Sequence, residues 1–87
     1  MYHVDYLPQA VKQLEKLDPQ TRRMIYHWIG KHLEGCENPR AYGKGLTMNL
    51  SGYWRYRVDG YRIICEIHES RVTILILRIE RRDKVYR

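Results

Sequence analysis

Arg55, Arg57 and Arg62 fall in one short stretch, "WRYRVDGYRIICEI", Trp54 to Ile67. Asp59-Gly60 between two period-2 runs predicts a two-residue hairpin turn of type I′, whose central positions both need positive φ. Such a turn sets the register: Val58 opposite Tyr61, Arg57 opposite Arg62, Tyr56 opposite Ile63, Arg55 opposite Ile64 and Trp54 opposite Cys65. One face then carries Val58, Tyr61, Tyr56, Ile63, Trp54 and Cys65 and should meet the helices. The other carries Arg57, Arg62, Arg55, Ile64, Tyr53 and Glu66. Like charges directly opposite destabilise a sheet by a few tenths to about 1 kcal/mol unless an anion lies between them. Three uses of that face compete. It can be a solvated surface on which arginine stems cover apolar atoms and Glu66 neutralises part of the charge. It can be a platform for phosphate groups, or a docking surface for an acidic protein segment.

Chemistry on a bound phosphate needs more than a platform. Cleavage of RNA by its own 2′-hydroxyl requires a base at that hydroxyl, charge stabilisation at the phosphorane and an acid at the leaving 5′-oxygen. His3, His27, His32 and His68 are scattered over a strand, a helix and a turn, and none falls on the arginine face, so each reads as a surface or packing residue. Arginine keeps its proton but stabilises a pentavalent phosphate. Tyr86 remains as a proton-transfer candidate if nearby arginines lower its pKa, and by periodicity it is equally a terminal aromatic packed on the sheet edge. Cys36 and Cys65 show neither C-x-x-C nor His-rich spacing, so no metal or other cofactor is expected and both read as reduced thiols of a cytoplasmic protein.

These residues must be held by elements that the pattern outlines. Tyr2, Val4 and Tyr6 alternate with His3 and Asp5 as in a short half-buried strand, closed by "LP". Leu7, Val11, Leu14 and Leu17 predict an amphipathic helix of about three turns. Asp18 caps a second helix with Pro19 at its first position and Met24, Ile25, Trp28, Ile29 and Leu33 as its apolar stripe; Gly35 can close it. Residues 34–45 read as loop, with three Gly and an Asn-Pro. After the hairpin, a turn near Glu69-Ser70 leads into Val72 to Ile79, apolar on both parities, which suits a central strand covered on both faces. The result is an α+β arrangement: a short N-terminal strand, a helical hairpin and then a mainly antiparallel twisted sheet.

The chain has 87 residues, 44% hydrophobic and 30% charged. That length supports one thin, two-layered domain, residues 1–87. Sixteen Lys and Arg against ten Asp and Glu give a net charge of +6, a sign that favours polyanionic partners. Residues 53–87 hold nine basic and five acidic side chains, residues 1–52 seven and five. The N-terminus lacks the order of a signal peptide, and no apolar run approaches the roughly 18 residues of a spanning helix, so a membrane is not expected as a partner.

With these elements in order, the phrases "LEKLDPQ", "NPRAYGKGL", "YWRYRVDGYRIICEI" and "ILILRIERRDKVYR" resemble the RelE/ParE toxin superfamily, in particular its RelE-like ribosome-dependent mRNA interferases. The resemblance spans nearly the whole chain. It implies the RelE-like microbial RNase fold and the toxin of a type II toxin–antitoxin system. It further implies an endoribonuclease that cleaves mRNA in the ribosomal A site, without a metal, to stop translation. Carried over by residue, Arg62 binds and stabilises the scissile phosphate, and Arg55 and Arg57 hold the mRNA backbone. Arg82, with Arg81 beside it, assists the leaving group, and Tyr86 orients or deprotonates the 2′-hydroxyl. Lys44, in the family's basic loop, contacts RNA or ribosome. The partners implied are a cognate antitoxin with an acidic or amphipathic segment, the ribosome and mRNA. One departure stands out: relatives often read Gly-His or Gly-Lys where this chain reads "IERRD". That puts Glu80 ahead of the arginines and leaves open which of Arg81 and Arg82 is the working one. Two alternatives remain, a ParE-like gyrase inhibitor and a non-catalytic binding module of the same fold.

Overall fold

The computed structural model describes residues 1–47 and 52–81; Arg82 and Tyr86 lie outside the described residues. Strand β1 (His3–Tyr6) turns Val4 and Tyr6 to the core and His3 and Asp5 to solvent, as its alternation predicts. Helix α1 (Pro8–Glu15) buries Ala10 and Leu14. It is shorter than the three turns expected. Asp18 must be extended, both as the next N-cap and as the residue before Pro19. The last turn of α1 therefore tightens, with Lys16 and Leu17 N–H groups reaching Gln13 and Leu14 carbonyls, and Leu17 falls beyond the helix. Helix α2 (Pro19–His32) starts as predicted. Asp18 Oδ2 accepts from the Thr21 N–H at 3.1 Å and Oδ1 from the Thr21 hydroxyl at 2.6 Å, which holds the Asp18 carboxyl below its usual range.

The segment after α2 returns along β1. Gly35, with φ 79°, donates to the Tyr2 carbonyl at 2.7 Å, and the Tyr2 N–H to the Cys36 carbonyl at 2.9 Å. Glu34 Oε1 accepts from the Val4 N–H at 3.0 Å while its Oε2 lies 3.0 Å from His3 Nδ1. The outer edge of the sheet is thus closed by backbone and by a carboxylate, which limits pairing with another chain.

Part of the expected loop is ordered. A 3-10 turn (Pro39–Ala41) precedes β2 (Lys44–Gly45), a two-residue strand antiparallel to β3. No local pattern marks it, because tertiary bonds place it: Tyr56 Oη donates to the Pro39 carbonyl and Trp54 Nε1 to the Tyr42 carbonyl, both at 2.7 Å. Gly43, at φ 77°, passes so close to β3 that a Cβ would collide with the Arg55 carbonyl oxygen.

Strands β3 (Trp54–Val58) and β4 (Tyr61–His68) pair in the predicted register throughout. The turn differs: Asp59 has φ 56° but Gly60 is not in the positive region, the sign pattern of a type II′ turn rather than I′. Strand β5 (Thr73–Arg81) completes a five-stranded sheet of order β1-β5-β4-β3-β2, with β1 parallel to β5 and the other pairs antiparallel. A bulge interrupts β4–β5: Ile64 faces Arg78 but Cys65 faces Ile76, leaving Leu77 as the extra residue. This shift explains the double apolar parity of "VTILILRI". Ile74 and Ile76 before the bulge and Ile79 after it all reach the same core, where they meet Ala10, Leu14, Ile25, Ile29 and Leu33 of the helical layer. Among the described residues both helices lie on that face, and Leu75 on the other face is half-buried. No helix among the described residues is long and apolar enough to cross a membrane.

Candidate nucleic-acid interface

On the face away from the helices, the pairings line up side chains in two cross-strand rows. The first runs Lys44, Arg55, Ile64, Arg78 across β2, β3, β4 and β5; the second runs Arg57, Arg62, Glu80 across β3, β4 and β5. The rows are two residues apart along the strands, or roughly 7 Å, and neighbouring strands lie about 4.8 Å apart. The two rows together therefore hold five cations and one carboxylate.

Glu80 is the anion that the facing arginines call for. Its Oε1 accepts from Arg62 Nη2 at 3.0 Å and its Oε2 from Arg78 Nε at 2.7 Å. Glu66, expected to neutralise the arginines, is instead 2.9 Å from His68 Nε2. It lies four residues along β4 from Arg62, opposite Leu75. The Arg62 side chain is only 15% exposed and Glu80 28%. Arg62 is thus not a solvated surface arginine. Its Nε is shielded from solvent and has no hydrogen-bond partner among the described residues. Around the pair is a concavity of about 140 Å³ lined by Leu46, Arg55, Arg62, Ile64, Arg78 and Glu80. Ile64, 2% exposed, forms an apolar floor. Charge-assisted bonds to an anion above such a floor are stronger than in open water.

Of the residues singled out from sequence, the fold brings together Lys44, Arg55, Arg57 and Arg62. Arg81 is not among them. It pairs with Tyr61 and shares the parity of Ile79, so it belongs to the opposite side of the sheet and is exposed. The sequence reading missed Arg78, although a lone charge inside an apolar strand, two residues before Glu80, is a visible signal. One histidine departs from expectation: His68 ends β4 rather than lying in a turn, shares the parity of Arg62 and Glu66, and so belongs to the arginine face, but it sits opposite Thr73 at the far end of the strand, 2.9 Å from Glu66 and outside the rows. His3 is held by Glu34, and His32 lies against Trp28.

Comparison with known proteins assigns the chain to a family. The model of the ParE toxin of type II toxin–antitoxin systems matches residues 4–86. The chain belongs to the RelE/ParE toxin superfamily. It is 29% identical over 86 residues to toxin RelG of Mycobacterium tuberculosis, covering 99% of this chain and 97% of that one. The structure of the toxin–antitoxin complex RelBE2 from the same organism matches with a TM-score of 0.84 at 28% identity, covering 93% of this chain and 98% of that one. The archaeal RelE–RelB complex from Pyrococcus horikoshii matches at 0.71 and 27%, covering 93% and 94%. In this RelE/ParE toxin the cysteines stand apart from the rows. Burial pushes the Cys65 thiol well above its usual pKa and raises that of half-buried Cys36 as well, so neither offers much thiolate near neutral pH.

Proposed function

We propose that this type II toxin is a ribosome-dependent endoribonuclease that cleaves mRNA. The observation that carries the reading is the pair of basic rows meeting at the half-enclosed Arg62. In the reaction the substrate's 2′-oxygen attacks phosphorus, the bond to the 5′-oxygen breaks, and the products are a 2′,3′-cyclic phosphate and a 5′-hydroxyl. Arg62 binds the phosphate by exchanging the Glu80 carboxylate for a phosphoryl oxygen, and its Nε supplies a second donor. Arg55 and Arg78 flank that position and spread the charge of the phosphorane, while Arg57 and Lys44 hold the backbone on either side. Guanidinium groups supply the charge stabilisation in this scheme, so no metal is assigned a step. Arg82, at the leaving oxygen, and Tyr86, at the 2′-hydroxyl, are assigned by family resemblance; Arg81 is left a peripheral role. A cognate antitoxin is proposed as the cellular partner, since the RelBE2 and RelE–RelB relatives were solved as toxin–antitoxin complexes.

The test is cleavage of mRNA on programmed ribosomes, read by primer extension. Arg62→Ala should lower the rate by roughly 100-fold or more, the usual loss when a donor to a developing negative charge is removed; undiminished cutting would sink the assignment. Gyrase inhibition is the second reading, favoured by the match to the ParE family model. A supercoiling assay isolates it, and inhibition of gyrase without mRNA cleavage would replace the proposal.

A further inference from the structure

Strand β2 is only two residues long and covers Arg55 and Trp54, so among the described residues no strand lies beside β3 at Arg57 and Val58. At that open edge lies a cleft of about 310 Å³ lined by Trp28, Tyr42, Gly43, Lys44, Arg55 and Arg57. It joins two surfaces of different chemistry. The rings come from the helical side and the cations from the rows described above.

The aromatic wall is pre-organised. Trp28 and Tyr42 meet edge to face, with centroids 6.0 Å apart and planes at 75°. His32 supports both, 4.7 Å from Trp28 and 5.1 Å from Tyr42, and its Nδ1 is 3.1 Å from the Trp28 carbonyl. Tyr56 backs Trp28 at 5.7 Å. Tyr42 is nevertheless 42% exposed, one of the few large hydrophobic side chains left open among the described residues. Its backbone is pinned from beneath by the Trp54 indole N–H, and Gly43 next to it has no side chain to obstruct the cleft. Perpendicular rings offer one flat face each, not a slot between parallel plates. That shape suits a single planar ring laid on one aromatic and edged by the other.

We infer that this cleft is a subsite for one unpaired nucleobase of the RNA, laid on the exposed Tyr42 ring and edged by Trp28, with its own phosphate held by Lys44 and Arg57. The inference rests on the proposed RNA-binding role of the arginine face and adds what that face lacks, a contact to a base. Charge decides the occupant: three cations around an aromatic wall fit a ligand that is both planar and anionic, which a nucleotide is. Stacking is tolerant of base identity, so the cleft contributes affinity and fixes the path of the strand more than it reads sequence. The strand then turns round the sheet edge, with its base in the cleft and a neighbouring phosphate over Arg62.

The test is titration of the free toxin with adenosine 5′-monophosphate and with ribose 5-phosphate, followed by calorimetry and by quenching of tryptophan fluorescence. The nucleotide should bind about tenfold more tightly, within the range of base-on-aromatic stacking, and should quench more strongly. Tyr42→Ala removes the exposed ring while keeping the carbonyl that Trp54 uses. It should bring the nucleotide down to the level of ribose 5-phosphate and leave the sugar phosphate unchanged, with Tyr42→Phe restoring the difference. Lys44→Ala should weaken both ligands alike. Equal binding of the two ligands by the wild type, or a nucleotide advantage that survives Tyr42→Ala, overturns the inference. So does tighter binding of the acidic peptide Glu-Trp-Glu, which would assign the cleft to a protein partner. The readout needs no ribosome, so it is separable from the cleavage reading. A toxin that cuts mRNA but does not distinguish the ligands loses only the cleft, and one that binds the base but never cuts loses only the nuclease assignment.

Discussion

Arg62 lends one of its donors to Glu80, and a phosphate arriving there must take it back. Glu80→Gln keeps the shape and one acceptor oxygen but removes the competing charge. Single-stranded RNA should then bind about fivefold more tightly, the equivalent of the ~1 kcal/mol typical of a partly exposed ion pair. The folded protein should lose about 1 kcal/mol from weaker bonds to Arg62 and Arg78. Filter binding and urea denaturation measure the two; unchanged affinity would mean that Glu80 only braces the sheet. The facing of Arg57 and Arg62 was legible in the sequence because a two-residue turn leaves no freedom in register. Arg78 and Glu80 were not legible as their partners. They lie across a longer turn in which Val72 takes a φ of 51°, and then beyond a bulge, and either one suffices to scramble parity.

The same contrast holds for the elements. Helix α2 was readable because its cap, Asp18 followed by Pro19, is local chemistry. Strand β2 was not, because "KG" becomes a strand only through bonds that Tyr56 and Trp54 make from elsewhere in the chain. Gly43 carries that dependence. A side chain there meets both an unfavourable φ and the Arg55 carbonyl, with Trp54 Nε1 and Tyr56 Cδ1 each 2.9 Å away. Gly43→Ala should cost about 2–4 kcal/mol, combining a left-handed non-glycine residue with overpacking. A lower urea midpoint with an unchanged slope is the expected result; a midpoint equal to wild type would show that the segment relaxes away from β3. At the opposite edge, Glu34 clamps β1. Its carboxyl is held below its usual range first by the Val4 N–H and then by His3. The folded pKa is lower, so at acid pH the unfolded chain binds the extra proton and stability falls. The contribution is complete above the ordinary glutamate value of about 4.3 and is lost as pH drops through the depressed folded pKa. Glu34→Gln should flatten the acid limb of a stability-against-pH curve, and parallel curves for the two proteins would discount the clamp.

For the molecule entire, sheet order matters more than any single contact. The net charge of +6 was plain in the sequence, but its concentration into two adjacent rows was not, since that depends on the mutual register of four neighbouring strands, one of them the two-residue β2 that no local pattern marks. Lys44 and Arg78 end up in one row although 34 positions separate them in the chain. Conversely Arg81, next to Glu80 in sequence, points away from the rows because alternation along β5 sends it to the other side. Proximity along the chain was a poor guide at both places; pairing was a good one.

The parallel pairing of β1 with β5 also has a consequence in time. His3 needs Thr73 and Tyr6 needs Ile76, so during synthesis at about 5–20 residues per second the opening strand waits roughly 3–14 s for its partner. Over that interval α1 has no Ile76 or Ile79 to rest on. Arg78 and Glu80 come with that same strand. A nascent chain can thus display the hairpin arginines well before it owns the concavity they share, and the basic surface is armed only as the fold is completed.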